Sequence, residues 1–183
     1  MSDAMIRDYA QARGFHPQTL ERWLSWEAPD RDAFKALVLN LKISENHLRD
    51  LMDWLEELHL RDGAAIAAIL ASPIIESIAT NPRLGRADKL KRIKEQVRRL
   101  RFPRLARIEN EIRTKISALK LPSGITVSVP AGLEGGKLQV EFSAGTSEEF
   151  AILSAQLTHA AAKEEIRNIF QLLSGRRLDD THS

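Results

Sequence analysis

The amino-acid sequence predicts a mainly α-helical protein with a small α+β unit towards its C-terminus. Apolar side chains recur three and four residues apart through most of residues 5–119, which is the spacing of amphipathic helices. Two later runs, Ile125–Val129 and Leu138–Phe142, alternate apolar and polar residues as half-buried strands do. Positive charge is concentrated in residues 83–107, which hold 11 Lys or Arg and only 2 Asp or Glu.

The first 82 residues are predicted to form a series of short helices. Met5–Arg13 is followed by Gly14, and Pro17 opens a second helix at a position where its missing N–H costs no hydrogen bond. Two helices joined by so short a turn have the form of a helix-turn-helix. The other helices predicted in this module are Asp30–Asn40, one that begins at Ser44, Ala64–Ala71, and one bracketed by Ser72-Pro73 and Asn81-Pro82.

The helical spacing continues from Arg86 to Leu119 with one interruption. Proline disfavours helix in the residue before it and removes a helical hydrogen bond, so Pro103 predicts two helices that meet at a kink or short turn. The first is amphipathic, with its apolar stripe on Leu90, Ile93, Val97 and Leu100. The second carries its stripe on Leu105, Ile108, Ile112, Ile116 and Leu119.

The residues after Leu121 predict an antiparallel hairpin and two more helices. A Gly-rich connection joins the two alternating runs, and Thr146-Ser147-Glu148-Glu149 resembles a capping box at a helix start. A last helix is predicted over Lys163–Leu173. A two-stranded sheet is marginal in water and exposes its edges, so we expect this αββα unit to pair with a second copy.

The expected organisation therefore has four parts. They are a helical module with the helix-turn-helix (1–82), a long basic connector helix (83–107), an αββα(α) dimerisation unit (108–174) and a polar tail (175–183).

The sequence shows no residue pattern that is typical of a catalytic site. There is no cysteine, and the five histidines show no metal-ligand spacing. The segment Gly132–Lys137 lacks the Ser or Thr of a phosphate loop and leads into a strand rather than a helix. We expect no catalytic residue, no metal and no cofactor. No apolar run is long enough for a membrane span and the N-terminus lacks the character of a signal peptide, so a cytoplasmic location is expected.

The basic segment is the first of two features that point to nucleic acid. A solvated helix face usually mixes the two signs of charge, because like charges one turn apart repel each other. The excess here predicts an anionic partner, and phosphate is favoured over a lipid surface or an acidic protein. The expected phosphate contacts are Arg86, Lys89, Lys91, Arg92, Lys94, Arg98, Arg99, Arg101 and Arg104.

The helix-turn-helix is the second feature. In that geometry the N-terminal side chains of the second helix reach base edges in the major groove, so Gln18, Thr19 and Arg22 are the expected base contacts. An ordinary helical hairpin with a glycine turn gives the same pattern. The net charge of −5 over residues 1–82 also opposes groove binding.

In their order along the chain, these segments resemble the DNA-binding and C-terminal parts of ParB-type chromosome partition proteins. Ala10–Trp26 falls where that family has its helix-turn-helix, and Leu41–Leu51 is similar to the family's following segment. The helix-strand-strand-helix order from Ile108 to Leu157 is similar to its dimerisation unit, most closely in Lys137–Phe142 followed by Ser147-Glu148-Glu149. The family's N-terminal nucleotide-binding domain has no counterpart here, so CTP-driven clamp closure is not implied. Its C-terminal strands often carry several lysines, whereas these carry only Lys137.

The sequence and the resemblance together predict a DNA-binding homodimer without catalysis. Chromosome or plasmid partition, nucleoid organisation and transcription control are the expected roles, with the protein associated with the nucleoid. The alternative is a non-catalytic adaptor whose basic helix docks an acidic protein partner.

Overall fold

A computed structural model describes residues 2–175, so all but the first residue of the expected tail lies outside the described part of the chain. The protein is mainly helical and has one small antiparallel sheet near its C-terminus, which confirms the predicted fold class. The chain divides into two compact units, Met1–Phe102 and Pro103–Ser183.

The N-terminal unit is entirely helical over its described residues. Its helices are α1 (Ser2–Ala12), α2 (Pro17–Leu24), α3 (Ala28–Leu41), α4 (Glu45–Asp62), α5 (Ile66–Leu70), α6 (Pro73–Thr80) and α7 (Arg86–Arg101). The turn between α1 and α2 needs a left-handed residue, which Gly14 supplies with a φ of 66°. Tyr9 secures this turn, since its hydroxyl donates to the Ile43 carbonyl at 2.9 Å and its ring meets Phe15 edge-on.

One core holds this unit together. Trp23 and Phe34 are fully buried, with ring centroids 5.4 Å apart, and α4 contributes Leu48, Leu51, Met52, Leu55 and Leu58. Ile93 and Val97 of α7 have no exposed surface and belong to the same core. Removing such side chains from water provides the main stabilisation of a small helical unit.

Helix α7 belongs to the N-terminal unit, whereas the sequence predicts a separate connector helix over residues 83–107. The division between the units falls at Phe102 and Pro103 rather than on either side of the basic segment. The physical reason is the apolar stripe: Ile93 and Val97 are buried in the N-terminal core, although Leu100 at its end stays 37% exposed. The basic segment is therefore an integral helix of the N-terminal unit up to Arg101.

The C-terminal unit consists of α8 (Pro103–Ala118), β1 (Ile125–Ser128), β2 (Gln139–Phe142), α9 (Ser147–Ala161) and α10 (Glu164–Leu173). The strands pair antiparallel, with Ile125 opposite Phe142 and Val127 opposite Val140. Ile112, Leu119 and Ile169 form the buried centre, so α8 and α10 carry this core.

A reciprocal cap starts α9. The Thr146 hydroxyl accepts a hydrogen bond from the Glu149 amide at 3.1 Å, while the Glu149 carboxylate accepts one from the Gly145 amide at 2.7 Å. The Thr146 hydrogen bond is the one that a capping box predicts, whereas the Glu149 carboxylate binds the amide one residue before the N-cap. Phe150 is nevertheless 56% exposed, so the apolar surface of α9 is only partly used within the unit.

Candidate nucleic-acid interface

Helix α4 lies between the two elements that the sequence singles out. Its residues Glu45, Asp53 and Glu56 contact α2, whereas a second set contacts α7 and consists of His47, Asp50, Trp54, Glu57 and Arg61. The pairs Asp50–Lys94 and Glu57–Arg101 are each seven residues apart on both helices, so α4 and α7 run parallel. The predicted base-reading helix and the basic helix therefore flank a common helix.

Thr19, an expected base contact, is turned inward. Its side chain is only 7% exposed, and its hydroxyl donates to Glu45 Oε1 at 2.6 Å. The same oxygen accepts from the His16 backbone amide at 2.9 Å. These hydrogen bonds, first that of Thr19 and then that of His16, hold the pKa of Glu45 below its ordinary value.

Arg22, a second expected base contact, is held by two carboxylates of α4. It donates to both oxygens of Glu56 at 3.0 and 2.6 Å, and it lies 2.7 Å from Asp53 Oδ1. The hydrogen bond to Glu56 is the main cause of the raised pKa of its guanidinium. Trp26 Nε1 also donates to Glu56 at 2.7 Å. Arg22 can reach a base only by leaving this network.

Gln18 is the expected base contact that stays open to solvent. It lines a shallow pocket of about 300 Å³ together with His16, Thr19, Arg22, Arg49 and Met52. Arg49 is exposed and lies on the α2 side of α4, and it is absent from the contacts expected from the sequence. Its position four residues after Glu45 could have indicated the shared face, because residues four apart lie on one side of a helix.

Two of the expected phosphate contacts face α4 instead. Lys94 Nζ lies 2.6 Å from Asp50 Oδ2, and Arg101 Nε donates to Glu57 Oε2 at 2.9 Å. Both cations also lie over the Trp54 ring, at 5.0 Å for Lys94 and 5.4 Å for Arg101. Part of the positive charge of the segment therefore docks α7 against the acidic helix beside it.

Three further expected contacts have partners of their own. Lys89 Nζ donates to the Ala79 carbonyl at 2.8 Å, which ties α7 to the end of α6. Arg98 pairs with Glu95 one turn earlier at 2.8 Å, and Arg99 also has an interaction partner.

The remaining expected contacts on α7 are open. Arg86, Lys91 and Arg92 are exposed, and within residues 2–175 none of them has a carboxylate partner. Arg104 is exposed as well, but it belongs to the C-terminal unit.

Within 2–175, no group of three or more His, Asp or Glu side chains could hold a metal ion. No helix in that range has both the length and the apolar character needed to cross a membrane.

The chain matches no protein-family model, no curated protein and no solved structure.

Proposed function

We propose that the N-terminal unit binds duplex DNA, mainly through its phosphate backbone. The observation that carries this proposal is the group of exposed cations without carboxylate partners on α7, Arg86, Lys91 and Arg92. Phosphate contacts release counterions and supply most of the affinity of a protein that binds DNA without regard to sequence. Partition, nucleoid organisation and transcription control are all compatible with this activity.

Sequence preference is expected to be weak. Thr19 and Arg22 are committed to Glu45 and Glu56, so Gln18 is the expected base contact that is free to act. A single amide pairing with adenine contributes about 1–3 kcal/mol of discrimination. Replacing Gln18 with Ala should reduce the preference between duplexes, and unchanged preference would remove base reading by α2 from the proposal.

The phosphate-binding role is tested by paired substitutions on α7. K91A/R92A should weaken binding to every duplex and reduce the salt slope by about 0.9 for each phosphate that the variant no longer neutralises. The control is R113A/R167A, which removes two exposed cations from the C-terminal unit. If both double variants weaken binding equally, the effect is one of net charge and α7 is not the binding surface.

We further propose that two copies pair through the C-terminal unit. Val140 and Phe150 are 38% and 56% exposed, and the Phe150 ring lies 5.6 Å from that of Phe142. This continuous apolar surface borders a strand whose outer edge has no partner within the described residues. V140E/F150E should convert a dimer to a monomer in sedimentation velocity. A wild-type chain that sediments as a monomer would contradict the pairing.

A protein adaptor is the second candidate, and one observation favours it. Lys94 and Arg101 already bind carboxylates within the unit, so α7 is suited to acidic side chains as well as to phosphate. Polyglutamate that competes with DNA at equal charge concentration would support the adaptor. DNA that remains bound under those conditions would favour the proposal above.

A further inference from the structure

We infer that Asp50 and Glu57 of α4 act as internal competitors of phosphate, because they occupy Lys94 and Arg101 and thereby limit the affinity for DNA. This inference rests on the proposed function and concerns the regulation of the same surface. Its basis is the pair of contacts between parallel helices, Lys94 with Asp50 and Arg101 with Glu57.

The exposures of the four side chains show which partner faces the solvent. The Lys94 and Arg101 side chains are each 18% exposed, whereas Asp50 is 50% and Glu57 is 45% exposed. The carboxylates therefore lie further out than the cations that they bind. A phosphate that approaches from solvent has to displace a carboxylate before it reaches either cation.

Trp54 keeps the two cations in place between the helices. Its ring lies within 5.0 Å of Lys94 Nζ and 5.4 Å of the Arg101 guanidinium carbon. A cation over an aromatic face is stabilised without being neutralised, so both groups keep their charge for another anion. Lys94 and Arg101 are about 10 Å apart along α7, at 1.5 Å per residue.

The exchange requires no movement of α7 itself. Ile93 and Val97 remain buried in the core, and Arg61 still donates to the Leu100 and Arg101 carbonyls at 3.0 and 2.7 Å. Only side chains have to change partner. The released cations would then extend the exposed group formed by Arg86, Lys91 and Arg92.

The experiment compares two double variants of the full chain that lose the same charge. D50N/E57Q removes the competing carboxylates, and D8N/E27Q neutralises two exposed acids that lie outside α2, α4 and α7. A fluorescent duplex of random sequence is the probe, and its affinity is measured between 50 and 200 mM salt. The inference predicts that D50N/E57Q binds roughly tenfold more tightly than D8N/E27Q at low salt. It also predicts a slope steeper by up to about 1.8, because two more phosphates would be neutralised.

Two further variants make the outcome decisive. Adding K94A/R101A to D50N/E57Q should abolish the gain in affinity for DNA. E57Q alone should give part of that gain, because Asp50 still binds Lys94. Equal gains in the two double variants would overturn the inference but leave the proposed function intact, provided that K91A/R92A still weakens binding. If no variant binds DNA, both the inference and the proposed function fail.

Discussion

Glu45 illustrates how one side chain decides what its neighbours can do. It accepts hydrogen bonds from the Thr19 hydroxyl and the His16 amide, and so joins the start of α2 to the start of α4. Thr19 is a reasonable base contact in the sequence, because a short polar residue there suits a recognition helix. Its partner lies 26 residues later, and that of Arg22 lies 34 residues later, distances over which local patterns carry no information.

The hydrogen bonds of Glu45 predict a dependence of stability on pH. Its pKa is lowered in the folded state from an ordinary value of 4.5, so its contribution is present above pH 4.5 and is lost as pH falls through the folded pKa. E45Q should therefore be less stable than wild type at pH 7, and the difference should shrink below pH 4.5. Urea unfolding at pH 7 and pH 3.5 measures it, and an equal difference at both values would contradict this role.

Helix α7 shows that apolar periodicity predicts the position of a helix, whereas a count of charges does not predict the partners of its charged side chains. Its amphipathic stripe and its break before Pro103 were predictable, since both depend on residues within a few turns of each other. The partners of its cations were not predictable, because the number of charges does not show that Asp50 and Glu57 of another helix lie beside them. Some of the positive charge of α7 therefore docks the helix against α4, whereas Arg86, Lys91 and Arg92 are exposed to solvent.

The burial of α7 predicts a large effect of a small deletion in its stripe. I93A should lower the free energy of unfolding of the N-terminal unit by about 2–5 kcal/mol, because Ile93 is fully buried. Leu100 of the same helix is 37% exposed, so L100A should cost less than about half as much. Urea unfolding of both variants checks this, and similar small losses would mean that α7 is a connector outside the core.

At the scale of the whole molecule, the fold class and the order of elements followed from the sequence, because helical and alternating patterns are local. The boundary between the units depended on where α7 packs, and that is a long-range property. The division at Phe102 and Pro103 predicts that residues 1–102 fold alone. A cooperative thermal transition of that fragment, followed by circular dichroism, is the expected result, and a gradual loss of helicity would contradict it.

The same division assigns separate tasks to the two units in the proposed function. The N-terminal unit carries the exposed cations, and the C-terminal unit carries the exposed apolar surface around Val140 and Phe150. A dimer would bring two N-terminal units to one duplex, which raises the local concentration of the second unit once the first is bound.

Binding of the wild-type chain to a random-sequence duplex, titrated with salt, tests the central claim most directly. The logarithm of the binding constant should fall linearly with the logarithm of the salt concentration. Three open cations on α7 predict a slope of about −2.7 per chain or steeper. The expected result is that the DNA is tightly bound at 50 mM salt and that its affinity decreases with this slope. No retention of DNA at 50 mM salt would show that the exposed cations of α7 serve another partner.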